Sequence, residues 1–292
     1  MPITVHWFVE PAVGIVARAR SSSTAGCLYV DGVATKSSDD QFAALLSGAA
    51  DAAITAMDNV MDWNLRAGGG DFRIVAQIER TIPLSLVSRA GVTGIQGLRG
   101  KTLLVDAPAN GFVVAARALL DECGLPDGSY ALKRAGGVRE RFEALLAGSG
   151  DATLLGPPFD QMALARGAQV LSRVNDQYPA FPGQGLVMRR SSYERCRAGM
   201  AIWLAEIDHA RALALTNKDV AVWHLTKTGL PGALAEDMIS FVPNSLVPER
   251  EGVDLLIAQR KRARLHGGDL TYSDLVDFDL LESIGHWREH NR

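Results

Sequence analysis

The sequence predicts an α/β fold of two similar Rossmann-like lobes, joined by a hinge and enclosing a cleft. Three observations carry this reading. One eleven-residue block occurs twice. Short apolar strands alternate with helices along most of the chain. A Pro/Gly/aromatic crossing, YPAFPGQG at residues 178–185, leads from the middle of the chain back towards its first half.

The repeated block reads FAALLSGAADA at residues 42–52 and FEALLAGSGDA at residues 142–152, with seven of eleven positions identical at an offset of one hundred. Each copy gives a helix, a tight glycine turn and an apolar strand, AITAMDN in the first and TLLGPPFD in the second. The pattern before the first copy is a strand at 3–8, a short helix at 11–20 and a second strand at 27–33. Ser37 or Ser38 caps a helix at 39–46, which Ser47-Gly48 ends. Strands follow at 52–55, 72–77 and 83–88. After a turn-rich stretch, TLLV at 102–105 is a core strand. Residues 106–111 form a loop, and 112–123 an amphipathic helix closed by Gly124. A strand at 129–134, the second repeat, a helix at 162–167 and a short strand at 170–171 complete the middle. Beyond Tyr193 the chain reads as mostly helical, with candidates at 203–214, 220–229, 230–239 and 255–264. One lobe is therefore expected to be discontinuous, taking residues 1–87 and 184–292, with residues 88–183 inserted as the other. Two chain crossings make a hinge able to close on a ligand.

Bulk properties limit the function classes. The chain has 292 residues, 47% apolar and 22% charged, with a net charge of −3. No basic stripe points to nucleic acid, and no apolar run is long enough to span a membrane. No leader pattern precedes the first strand, so the chain as given is expected in the cytoplasm, or in the periplasm if a leader was removed. The cysteines, Cys27, Cys123 and Cys196, and the six histidines show no metal-ligand spacing, so neither metal nor cofactor is expected.

Four stretches resemble the type II periplasmic-binding-protein-like proteins. They are HWFVEPAV from His6, SSDDQFAALLSGAADAAITAMDNV from Ser37, LRGKTLLVDAPANGF from Leu98 and FEALLAGSGDATLLGPPFD from Phe142. More narrowly, they look like the nitrate-, sulfonate- and taurine-binding proteins and the thiamin-pyrimidine-precursor (NMT1/THI5-like) proteins. The resemblance implies two lobes, each with a five-stranded sheet, and a ligand held between them. It also implies that many relatives are receptors passing solutes to an ABC permease, while some leaderless ones are lyases or decarboxylases. The expected function is binding of a small organic anion or aromatic acid. The alternative is an enzyme acting on such an acid, with His6, Asp58 and Arg80 as its polar groups.

Ligands of open α/β sheets lie beyond the carboxyl ends of the strands, which selects the candidate contacts. His6, Trp7 and Phe8 at the end of the first strand offer an imidazole beside aromatic walls, although a strand-end histidine is also an ordinary structural residue. Ser37 and Ser38 begin a helix whose free N–H groups suit an anion or a simple cap. Thr55 and Asn59 follow the first repeated strand, with Asp58 read as a helix cap. Asn110 and Gly111 open a helix in the second lobe as the other half of an anion clamp. Pro158 and Phe159 give a rigid apolar wall. Arg80 suits a carboxylate or a surface ion pair, and Tyr178 on the return crossing covers the ligand. Polar anchoring is expected mainly from the first lobe and an apolar lid from the second.

Overall fold

In the computed structural model, which describes residues 3–21, 30–109 and 111–286, ten strands build two five-stranded sheets. The chain first lays down β1 (Ile3–Trp7), β2 (Val30–Ala34), β3 (Ala52–Ala56) and β4 (Phe72–Gln77). It then crosses to a second sheet of β5 (Ser85–Ser88), β6 (Thr102–Val105), β7 (Ala131–Arg134), β8 (Ala152–Leu155) and β9 (Gln169–Arg173). A last strand, β10 (Gln184–Arg189), returns to the first sheet. The strand orders are β2-β1-β3-β10-β4 and β7-β6-β8-β5-β9. Each crossing strand, β10 or β5, is antiparallel to both neighbours and sits fourth in its sheet. Both carry a register shift at equivalent places, Leu186/Val187 against β4 and Leu86/Val87 against β9.

The fold corrects one boundary of the sequence reading. Residues 85–87 were expected to stay with the first lobe, but SLVS at 85–88 is wholly buried between β8 and β9. The first crossing therefore lies before Ser85 rather than after residue 87.

The hundred-residue echo has a structural cause. Asp51 and Asp151 each follow a repeated helix and each tie the start of the neighbouring strand. The Asp51 carboxylate accepts from Thr4 N at 2.9 Å, and that of Asp151 from Thr102 N at 2.8 Å. Each aspartate N–H donates back to the same residue's carbonyl. An arginine then neutralises each carboxylate, Arg195 at 2.9 Å and Arg89 at 2.7 Å. The matching glycines, Gly48 and Gly148, adopt φ of 78° and 71°, a left-handed turn that side chains resist.

Helices cover both faces of the sheets: α1 (Ala12–Ser21), α2 (Ser38–Ser47), α3 (Asn59–Ala67), α4 (Val113–Glu122), α5 (Val138–Leu146), α6 (Phe159–Leu164), α7 (Val174–Gln177), α8 (Tyr193–Thr216), α9 (Lys218–Thr226), α10 (Gly232–Ser240) and α11 (Arg250–Arg262). α8 extends well beyond the expected 203–214, because Cys196, Met200, Trp203 and Leu204 keep a continuous helical stripe on the core. Phe42, Trp63 and Phe72 form a buried aromatic trio with ring centroids 5.6–6.1 Å apart. On the outer strand, the Trp7 ring lies flat over Gly32, where a Cβ would come within 2.1 Å of the indole. α11 reaches the second lobe: Arg262 pairs with Asp121 at 2.6 Å and Glu122 at 3.2 Å on α4. No helix among the described residues is long and apolar enough to cross a membrane.

Candidate functional site

The carboxyl ends of β1, β3, β4, β6 and β8 converge on a cleft of about 300 Å³ between the two sheets. This is the low end of the volumes that hold small organic ligands. Most of its wall is apolar. Phe8, Ile82 and Leu84 come from strand ends and the first crossing, and Phe112, Val138 and Phe159 from the second lobe. Leu230, Leu234, Met238 and Phe241 close one side; they lie on and around α10 at helical spacing.

Few polar groups enter this wall. Asn59 donates to Thr55 Oγ1 at 2.7 Å, a buried pair at the end of β3. Glu79 follows β4, and its Oε2 accepts from Gln184 N at 3.3 Å and Gln184 Nε2 at 3.2 Å. Burial raises the Glu79 carboxyl above the usual range, against the two bonds from Gln184. Asp106 follows β6; burial raises it as well, although Ser38 donates to it. Arg141, on the first turns of α5, is the guanidinium on the cleft wall. Its Nε is buried without a hydrogen-bond partner, and no ion pair reaches it among the described residues. Burial lowers its pKa, opposed by Asp106 and Glu140 at longer range.

These charges respond to burial differently. A desolvated carboxyl relieves its cost by taking up a proton. A guanidinium cannot give its proton up and stays charged. Arg141 therefore keeps its charge on a wall that also carries Glu10, Glu79, Asp106 and Asp237.

The backbone donors expected to hold an anion are already occupied by the protein's own carboxylates. Asp106, from the second lobe, accepts from Ser38 N at 3.2 Å and Ser38 Oγ at 2.8 Å at the start of α2. Asp58, from the first lobe, accepts from Gly111 N at 3.0 Å. Each lobe thus places a carboxylate on the other's N–H groups, and the two bonds fasten the lobes together. Asp58 also accepts from Arg260 Nη1 at 3.0 Å in an ion pair in which both side chains are at most 2% exposed.

Burial pushes the Asp58 carboxyl up to about 7, against the pull of Arg260 and Gly111. A carboxyl raised in the folded state favours folding while it is protonated. That contribution is complete below the unfolded value near 4 and disappears as pH rises through about 7. The melting temperature of the wild type, minus that of Asp58→Asn, is expected to fall between pH 5 and pH 8. A flat difference curve contradicts this assignment.

Of the residues singled out from sequence, the structure brings Phe8, Thr55, Asn59, Gly111, Pro158 and Phe159 to the cleft wall. It places the others elsewhere. His6 lies in β1 between Val33 and Ala53, with its Nδ1 buried and unpaired and its pKa lowered by burial. Trp7 covers Gly32. Ser37 caps α2 by accepting from Asp40 N at 3.0 Å, and Ser38 bonds to Asp106. Arg80 is exposed, 3.4 Å from the Ser240 carbonyl. Tyr178 is buried in the core under the return crossing. Asn110 and Cys27 lie outside the described residues. His6, Asp58 and Arg80, the polar groups of the enzyme reading, do not meet in one site. Arg141 was not singled out, and Glu79 and Asp106 fall in strand-end segments, 79–80 and 106–111, whose expected contacts were Arg80 and the Asn110-Gly111 helix start. The division of labour also differs from expectation, because the cleft-wall cation Arg141 comes from the second lobe and the apolar α10 wall from the first.

No protein-family model matches the sequence, and no curated protein matches it. Solved structures match over nearly the whole chain. The ligand binding component of an ABC-type import system from Staphylococcus aureus, with zinc bound, superposes with a TM-score of 0.77 at 14% identity, covering 97% of this chain and 99% of that one. The alkanesulfonate-binding protein SsuA from Xanthomonas axonopodis pv. citri, bound to MOPS, gives 0.71 at 15% identity, over 91% and 94%. A Candida albicans gene product described as having the generic periplasmic binding protein structural fold gives 0.72 at 13% identity, over 97% and 94%. The chain has that fold.

Proposed function

We propose that this chain, with the periplasmic-binding-protein fold, is a receptor that closes its two lobes around a small organic anion. Its partner would be an ABC permease if the chain is exported. The observation that carries the reading is Arg141: a half-buried guanidinium, with no ion-pair partner among the described residues, on the wall of a mostly apolar cleft. The apolar wall selects an organic body, and the guanidinium selects a carboxylate or sulfonate head, which it can hold in a bidentate fork. The solved structures with this fold include import-system components and a sulfonate-binding protein, which supports the receptor role. The enzyme reading gains no support from the placement of His6, Asp58 and Arg80.

A thermal-shift panel tests this. Aliphatic and aromatic carboxylates and sulfonates are compared with their neutral amides at equal concentration. Acids are expected to raise the melting temperature by mass action, and amides are not. Hits recovered unchanged after long incubation are expected of a receptor. Equal shifts from acids and amides, or turnover of the hit, contradict the proposal.

A further inference from the structure

We propose that the cleft takes a two-headed ligand, with an acid group on Arg141 of the second lobe and an ammonium or hydroxyl group donating to Glu79 of the first. The inference rests on Arg141 receiving the anion and adds the chemistry of the opposite wall.

Glu79 is built into that wall. Its Oε2 is fixed by both the backbone N–H and the side-chain amide of Gln184, which sets the orientation of the carboxyl. Its Oε1 has no hydrogen-bond partner among the described residues, and the residue lines the cleft. Behind it lies a second cavity of about 30 Å³, walled by Ala12, Val13, Ile78, Met238 and Phe241. These walls offer no side-chain donor, so a water placed there lacks the partners that hold buried water. Glu79 is half-buried, and Oε1 keeps accessible surface where a ligand group in the cleft can replace solvent and donate to it.

The other polar groups on the wall are engaged or differently placed, and Asp237 is exposed on α10. Asp106 has one oxygen bonded to Ser38, and the other is sealed from the cleft. Glu10 is engaged by Arg18 at 2.9 Å. Thr55 and Asn59 bond to one another. An ammonium meets an ionised Glu79 as an ion pair, and a hydroxyl meets it as a donor. Both reward a ligand whose two heads are separated by an apolar body.

Isothermal titration with matched probes decides the matter. 4-(Aminomethyl)benzoate and 4-(hydroxymethyl)benzoate are compared with 4-methylbenzoate, and ω-aminoalkanoates of graded length with the corresponding alkanoates. At least one two-headed probe is expected to bind about tenfold or more tightly than its acid-only partner, about 1.4 kcal/mol. Glu79→Gln keeps an acceptor for Gln184 but removes the carboxyl. It is expected to cut the gap to about threefold or less, and its circular dichroism is checked against the wild type. The proposal is overturned if no two-headed probe binds more tightly than its partner, or if Glu79→Gln preserves the gap. If acid-only probes bind and lose affinity in Arg141→Gln while the second head gains nothing, the anion reading stands and this one falls.

Discussion

Replacing Arg260 with methionine is expected to lower the stability of the chain by about 3–5 kcal/mol, the usual cost of removing one partner of a buried ion pair. Arg260 is 1% exposed, and it joins two parts of the structure. Its Nε donates to the His266 carbonyl at 2.6 Å, and its Nη1 to Asp58 at 3.0 Å. Asp58 in turn holds Gly111 N of the second lobe, so the loss reaches the contact between the lobes. At roughly 2–4 °C per kcal/mol for a chain of this size, the melting temperature should drop by on the order of 10 °C. Adding Asp58→Asn removes the stranded carboxylate while keeping an acceptor for Gly111. The double variant should therefore recover part of the loss. Thermal melts of the three variants against the wild type at one pH check this. A drop of less than about 1 kcal/mol for Arg260→Met means that the pair does not hold the lobes.

Arg141→Gln is expected to act in the opposite sense on stability and to abolish binding. The half-buried guanidinium has a buried Nε without a partner, which costs the empty protein free energy, so the variant without ligand should melt no lower than the wild type. With an organic acid present, the variant loses a charge-assisted contact in a low-dielectric site. A loss of at least about a hundredfold in affinity corresponds to about 2.7 kcal/mol, within the range for truncating a buried charge contact. Titration calorimetry and melts on the same preparations give both numbers. Unchanged affinity in a folded variant removes Arg141 from the site. A strongly destabilised variant shows instead that Arg141 is structural.

The sequence reveals the scaffold because the scaffold depends on local pattern. Phe42/Phe142, Leu45/Leu145 and Asp51/Asp151 recur because the same helix, turn and strand-tying carboxylate are used twice. Strand ends follow from that frame, and Thr55, Asn59, Pro158 and Phe159 fall on the cleft wall accordingly. The misplaced strand at 85–88, four residues reading SLVS, is too short to declare which sheet it joins. The helix starts at Ser38 and Gly111 look like empty anion sites because their occupants, Asp106 and Asp58, lie 68 and 53 residues away. Only tertiary structure brings them together. Arg141 is hidden for another reason: in VRERF it looks like one more charge on the polar face of an amphipathic helix. Leu234 and Met238 did carry a signal, four apart on one helical face, but nothing local says that this face covers a ligand.

The central claim is that the cleft between the lobes holds an organic anion on Arg141. The most direct measurement is a crystal structure of the chain with the strongest acid from the thermal-shift panel. Electron density is expected between the sheets, with the acid group within hydrogen-bond distance of the Arg141 guanidinium and the apolar body against Phe8, Phe112 and Phe159. Density for the acid at any other surface, with this cleft filled only by solvent, would contradict it.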